Sequence, residues 1–303
     1  MNLLCRNCGA ELQLEPQLRT ATCPYCASPS VVERPPSAER PAAEYVLGLT
    51  QPEAEVRARV ARWLKGRTLF AHSGVKRATV HELKGLYVPA YLYSAEAHTR
   101  FSAHIGEHYT VTERYSTTDS QGRSVTRTRT RTETEWYPLQ GERAEYLQDV
   151  LVTASRGLSN AELESLEPFE LRQLQRYSPA LLSGWMAEEP SLAPAEGSAQ
   201  ANLECQALVE RHLARFLPGD SVRELDFETR LRNEALSLVL LPVWVSAMRY
   251  DPQRPPLRVL VNGQTGEVVG KVPLSPVKIA LAVLGALLLL LALWLYVNEG
   301  GLP

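Results

Sequence analysis

Between positions 279 and 297 the chain reads IALAVLGALLLLLALWLYV, nineteen residues without a charged side chain. A helix rising about 1.5 Å per residue over that length nearly spans a hydrocarbon core of about 30 Å. The pattern therefore predicts a transmembrane helix over 277–298. Trp294 and Tyr296 stand toward its far end, where amphipathic rings favour the membrane interface. Lys271 and Lys278 flank the near end, and Glu299 is the one charged side chain beyond Val297. The positive-inside tendency then places the bulk of the chain on the cytoplasmic side of the inner membrane, as a single-pass, tail-anchored protein.

Upstream the periodicities are those of a water-soluble α+β body over 51–275. Pro52 and Glu53 open a helical stripe of Val56, Val60, Trp63 and Leu64 that runs to about Lys65. An apolar strand with an internal proline, Pro89, follows in HELKGLYVPAYLYSAEA. The order recurs later in the chain. A helix is expected over 199–217 with Leu203, Leu208, Leu213 and Phe216 inward, then the strand SLVLLPVWVSAMRY with Pro242 inside it. A hairpin turning at NGQTG comes next. The reading is two similar helix-plus-antiparallel-sheet halves, a weak internal duplication weighed against chance likeness. Between them sits a helical insertion, SNAELESLEPFELRQL, with Ser159 as N-cap and Glu162 closing a capping box. The small and polar run 193–198 reads as a loop, and the proline-rich 34–50 as a linker.

A second alternation differs in kind. In SVTRTRTRTETEW, Arg127, Arg129 and Arg131 share one face while Thr126, Thr128, Thr130 and Thr132 share the other. With no apolar face, the hairpin 109–137, turning at 119–122, is expected to project into solvent. Its arginine row is a candidate contact for an anionic surface, either lipid headgroups or nucleic-acid phosphates. The alternative is a solvated arm whose arginines pair with Glu113 and Glu133.

Composition adds little until the cysteines. Hydrophobic residues at 45% and charged residues at 22% describe an ordinary folded chain. A net charge of −2 does not single out a polyanionic partner. Four of the five cysteines, however, fall in the first 26 residues, as CRNC and CPYC separated by fourteen residues. Each CxxC forms a knuckle presenting two thiolates, and two knuckles complete a tetrahedral shell, so Cys5, Cys8, Cys23 and Cys26 are the predicted ligands of a structural Zn2+ in a ribbon over 1–33. Gly9 suits the positive φ such a knuckle needs, and Pro24 stiffens the second. A redox dithiol and a rubredoxin-like iron site are the rival readings. The intervening stretch is too short to bury a core, so metal must supply most of its folding energy. A reducing cytoplasm agrees with thiols kept for metal, and MNLLCRNCGA shows no basic start followed by an apolar signal stretch.

Catalytic signatures are absent from the sequence: no Walker A loop, no GxGxxG or GxSxG, no HExxH. His98, His104 and His108 lie near one another but lack a carboxylate pattern to complete a site. Cys205 reads as a small buried residue of a helix. The ribbon carries Arg6 and Arg19 against Glu11 and Glu15, so it presents no basic face. No enzymatic activity is expected.

The stretches YSPALLSGWMAE (177–188), LLPVW (240–244) and VNGQTGEVVGKVPLSPVK (261–278) resemble those of a bacterial family of membrane-anchored proteins headed by a TFIIB-type zinc ribbon. Genome annotation sometimes labels such proteins primosomal or helicase-like. Cys5, Cys8, Cys23 and Cys26 correspond to that family's ribbon ligands. Two departures stand out: Trp185 where phenylalanine is expected, and YVPAY in place of a PxW form of the first strand. The resemblance implies no established activity, and it implies SPFH or phage-shock-like membrane proteins as partners. The expectation is a non-enzymatic membrane scaffold or adaptor that recruits a protein partner, with a nucleic-acid-binding or regulatory role as the alternative.

Overall fold

The structure is a computed structural model that describes residues 2–5, 7–13, 25–26, 31–34, 41–67, 69–77, 82–118, 122, 124–182, 185–251 and 253–298. In chain order the elements begin with β1 (Asn2–Cys5), β2 (Glu11–Gln13), β3 (Val31–Arg34), β4 (Tyr45–Val46) and α1 (Glu53–Gly66). The long strands β5 (Lys84–Thr118) and β6 (Ser124–Thr153) follow, then α2 (Asn160–Leu166), β7 (Gln175–Arg176) and β8 (Met186–Glu188). The chain continues through α3 (Pro194–Phe216), β9 (Ser221–Met248), β10 (Leu257–Asn262), β11 (Val268–Gly270) and α4 (Pro276–Asn298). This is a mixed α+β fold with a large sheet, as expected. The strands pair in the order β11-β10-β9-β5-β8-β2-β1-β3, with β4 joining β7 and β9, and β6 joining β5. The chain divides into two compact units: Met1–Tyr91 with Leu151–Gly197 and Ser237–Pro303, and Leu92–Val150 with Ser198–Leu236.

In the first unit α1 follows its sequence pattern. Val56, Val60 and Leu64 are buried against Trp244, Met248, Leu257, Val259 and Val261, with Trp63 partly covered. Each such side chain contributes about 1.5–3 kcal/mol of burial. Pro242 falls between two registers of β9, after Val239 and Leu240 pair with β4 and before Val243 begins the ladder with β10. A proline is tolerated where the ladder changes partner because no N–H is needed there. Its carbonyl still works, accepting from Gly263 N at 2.9 Å.

The NGQTG turn is a buried junction rather than a surface loop. Asn262 Oδ1 accepts from the N–H groups of Gln264 (2.8 Å) and Thr265 (3.1 Å), while its amide donates to the carbonyls of Leu166 and Pro168. Gly263 O accepts from Thr50 N and Gln51 N, and Gln264 Oε1 accepts from Glu170 N at 3.0 Å. A Cβ on Gly263 would lie 2.7 Å from Pro242 O, so only glycine fits. Four chain segments are thus tied at one turn. Of the stretch 34–50, read as a linker, residues 35–40 lie outside the described ones. Val46 and Leu47 are buried, with β4 paired to β7 and β9, so this part is sheet. The insertion begins as expected: Ser159 N–H and its hydroxyl both donate to the Glu162 carboxylate, at 3.0 and 2.7 Å.

The second unit is built on one-sided alternation. Tyr93, Ala95, Ala97, Thr99, Phe101, Ala103 and Ile105 of β5 are buried, while the residues between them are not. The helix α3 corrects two expectations. It starts at Pro194, so the run 193–198 is its first turn rather than a loop; proline suits the first helical position, and Glu196 accepts from Ala193 N at 2.8 Å. Its buried stripe is Ala201, Cys205, Val209 and Leu213, while Leu203 and Phe216 are exposed. The small residues face inward because the sheet face already carries the bulky aromatics Tyr93 and Phe101. The hairpin 109–137 is the distal part of the much longer β5–β6 pair. Of its predicted turn only Gly122 is described, with φ +78. The arms are exposed or half-buried, as an all-polar ribbon requires.

Candidate metal centre and its seat in the sheet

Strand β1 ends at Cys5, and the chain folds back at once. Gly9 N–H donates to Cys5 O at 2.8 Å and Cys5 N–H to Ala10 O at 2.9 Å. Gly9 takes φ +75, the left-handed conformation that glycine adopts without penalty. This knuckle and the Tyr25–Cys26 turn bring the sulfurs of Cys5, Cys8 and Cys26 within 4.8 Å of one another. Cys5 Sγ and Cys26 Sγ are 3.6 Å apart and both thiols are free. A disulfide needs about 2.05 Å, whereas a tetrahedral site with metal–sulfur bonds of about 2.3 Å sets its sulfurs about 3.8 Å apart. The three thiols thus have the geometry to hold a metal ion. Cys23, the fourth predicted ligand, lies outside the described residues. Burial pushes the Cys5 thiol up, and backbone N–H groups of Cys8 and Asn7 directed at its sulfur oppose that shift.

The cluster is stitched to the body. Strand β1 lies between β2 and β3, and β2 pairs with β8 through Leu12 and Glu188, and Gln13 and Ala187. Tyr25, the residue before Cys26, donates its hydroxyl to Glu188 Oε2 at 2.5 Å, and Ser155 donates to Oε1 at 2.5 Å. Glu188 is fully buried; desolvation pushes its carboxyl up to about 7, against hydrogen bonds from Ser155, Tyr25 and the Glu11 N–H. Ser155 Oγ in turn accepts from the N–H groups of Gly157 (2.8 Å) and Leu158 (3.1 Å). A Cβ on Gly157 would sit 2.8 Å from Ala10 Cβ, so this loop lies flush on the knuckle. Arg258 closes the assembly. Its guanidinium lies 5.7 Å from the Tyr25 ring centre, donates to Gly157 O at 2.7 Å and pairs with Glu162. Burial raises Glu162, but hydrogen bonds from Arg258 and Ser159 outweigh it and hold the carboxyl below its usual range.

None of Tyr25, Ser155, Glu188 or Arg258 was singled out by sequence reasoning. Tyr25 has a local signal, an aromatic between two metal-spaced cysteines, but a buried acid inside MAEEP looks like any surface glutamate.

The other candidates remain apart from this cluster. Arg131 pairs with Glu113 at 3.2 Å and with Glu133, as the solvated-arm reading has it. Tyr109 donates to Glu133 at 2.8 Å. Arg127 and Arg129 are exposed and make no ion pair among the described residues. His104 Nδ1 lies 3.0 Å from Glu224, His108 Nδ1 4.0 Å from Asp220 and His98 Nε2 3.8 Å from Glu96, three separate pairs rather than one site. Cys205 is fully buried. Trp185 packs edge-on against Trp244, ring centres 5.7 Å apart, and a Cβ on Gly85 would strike it at 2.4 Å. The larger ring thus fits because position 85 is glycine.

At the far end of the sequence, Pro276–Tyr296 is long and apolar enough to cross a membrane, and none of it is buried. Fold and site together define an α+β protein with an N-terminal cysteine cluster and a C-terminal apolar helix. The chain is similar to a Bacillus subtilis (strain 168) protein, "Uncharacterized protein YdjG", at 26% identity over 243 residues, covering 78% of this chain and 65% of that protein. The match thus spans a little under two thirds of that relative's length. No family model matches the chain. No solved structure matches it either.

Proposed function

We propose that this chain is a membrane-anchored zinc-ribbon scaffold, a member of the TFIIB-type family its sequence resembles, that recruits a protein partner to the cytoplasmic face of the inner membrane. The observation that carries the reading is the three-thiol cluster, with its sulfurs within 4.8 Å and the Cys5–Cys26 pair at 3.6 Å, seated in the sheet of a chain that also bears an exposed membrane-length helix. Sulfur donors favour Zn2+ among common divalent ions, and Cys23 completes the shell. With four protein ligands the metal has no vacancy for substrate, so its role is structural and the function is placement rather than catalysis. Lys271 and Lys278 beside the span support the cytoplasmic orientation. The recurrence of helix followed by proline-bearing strand, α1–β5 and α3–β9, supports the internal duplication.

Because β2 is part of the sheet, deleting the ribbon would damage the body as well as any docking surface. The discriminating experiment keeps it intact: a photo-cross-linking residue at exposed Asn7, compared with one at exposed Leu203, in native membranes. A protein adduct specific to position 7 is expected, with SPFH and phage-shock-like proteins as the first identities to check. Equal capture at both positions would remove ribbon docking. Metal content is a separate test, with one zinc per chain expected and its loss in Cys8→Ser. The second reading, nucleic-acid binding, is favoured by exposed Arg127 and Arg129, which make no ion pair among the described residues. It requires an affinity that falls steeply with salt, and absence of binding at low salt would end it.

A further inference from the structure

A short loop of the first unit is clipped to the root of α4. Ser275 N–H donates to Phe70 O at 2.8 Å and His72 N–H to Pro273 O at 2.8 Å, around an antiparallel bridge between Ala71 and Leu274. Lys278 adds its ammonium to Ala71 O at 2.7 Å. Two main-chain amides and three carbonyls are thereby satisfied across the clip, which ties loop and helix root together. Ala71 is buried in the core, yet the clip's large apolar side chains are exposed: Leu69 is 75% exposed, Phe70 41%, Leu274 58% and Val277 66%. Two adjacent large apolar residues on a well-anchored loop, continuous with the uncovered surface of α4, form a patch rather than scattered exposure.

The clip also sets a level. Ala71 pairs with Leu274, two residues before α4 begins at Pro276. At no more than about 3.6 Å per residue, the level of Leu274 and of the loop paired with it lies within about 7 Å of the helix start, about the depth of one polar interfacial layer. Exposed cationic residues precede both segments of the clip in sequence, Arg67 before Leu69 and Lys271 before Leu274. Apolar side chains beside Lys and Arg match the boundary between headgroups and acyl chains.

We propose that residues 69–72 are a membrane foot: Leu69 and Phe70 enter the headgroup–acyl boundary of the bilayer that α4 crosses, and the clip holds the first unit at a set angle on that surface. The inference rests on the reading of α4 as a membrane span. The test uses the full chain in phosphatidylethanolamine–phosphatidylglycerol vesicles, carrying p-benzoylphenylalanine at Phe70, at Trp294 inside the span, or at Leu203 on α3. Phospholipid adducts by mass spectrometry are expected at 70 and 294, at least about tenfold above position 203. Leu69 provides a second probe if the Phe70 variant misfolds, since its exposure leaves room for the larger group. Adducts at 294 without adducts at 69 or 70 would overturn the foot and leave the span standing. No lipid adduct at 294 would remove both. Protein rather than lipid at 70, whether a second copy or another chain, would also overturn the proposal.

Discussion

Removing the Tyr25 hydroxyl tests whether the metal centre is held by the body or only by its ligands. Tyr25→Phe keeps the ring and deletes one buried O–H donor to Glu188, a 2.5 Å bond to a carboxyl that titrates near 7. At pH 7.5 a large share of that carboxyl is ionised, and a hydrogen bond to a charged group contributes about 1.5–3 kcal/mol. Ser155 and the Glu11 N–H still serve the carboxyl, so the body stays folded and the loss falls on the contact between knuckle and sheet. If metal escapes through local opening of that contact, release accelerates by about 10- to 150-fold at 1.36 kcal/mol per decade. The assay is a cobalt-loaded chain challenged with excess chelator, followed by decay of the thiolate-to-cobalt absorbance. In a Glu188→Gln background the acceptor is neutral and Tyr25→Phe should cost only about 1 kcal/mol. The resulting coupling of about 0.5–2 kcal/mol is what a double-mutant cycle reads. Release within twofold of wild type in Tyr25→Phe would refute the reasoning.

Three further outcomes follow from packing and titration. Gly197→Ala places a Cβ 2.3 Å from Tyr91 Cδ2, on a ring pinned by its hydroxyl bond to Leu192 O at 2.8 Å. Overpacking at about 1–3 kcal/mol then outweighs the helix-propensity gain of about 1 kcal/mol, so the melting temperature should drop; a rise would contradict the contact. Burial pushes the Cys205 thiol up to about 11, leaving about one thiolate in a thousand at pH 8 against about a quarter for a free cysteine. Iodoacetamide should therefore label Cys205 at least about 100-fold more slowly in the native chain than in denaturant, and equal rates would show that it is accessible. Glu162 has its carboxyl held below the usual 4.5 by Arg258 and Ser159 despite burial, so its contribution is present above about pH 4.5 and fades as pH falls through the lowered value. The stability gap between wild type and Glu162→Gln in urea should accordingly shrink between pH 7 and pH 3.5. A gap independent of pH would refute the ion pair's part in it.

Local physics made much of this protein legible from its residues alone. The nineteen uncharged positions of the apolar helix, the Val56–Val60–Leu64 stripe, the Ser159–Glu162 capping box and the cysteine spacing with Gly9 at positive φ each depend on neighbours in sequence, so pattern suffices to find them. The α3 stripe escaped because alanine and cysteine carry a weak periodic signal, and the facing Tyr93 and Phe101, distant in sequence, decide that small residues go inward. NGQTG announced a turn, but that Asn262 would be buried and bound to Leu166 and Pro168 depends on segments nearly a hundred residues away.

The metal site divides in the same way. The cysteines that could hold an ion are legible from spacing, since two residues between cysteines can bring two sulfurs to one ion. Its seat was decided only by tertiary structure. Pairing of β2 with β8 carries Glu188 out of water and under Tyr25 and Ser155, turning an ordinary glutamate into the anchor of the knuckle. Desolvation and strand pairing are properties of the assembled sheet. For that reason MAEEP reads as surface, and Tyr45 and Val46 read as part of a linker over 34–50, until the strands meet.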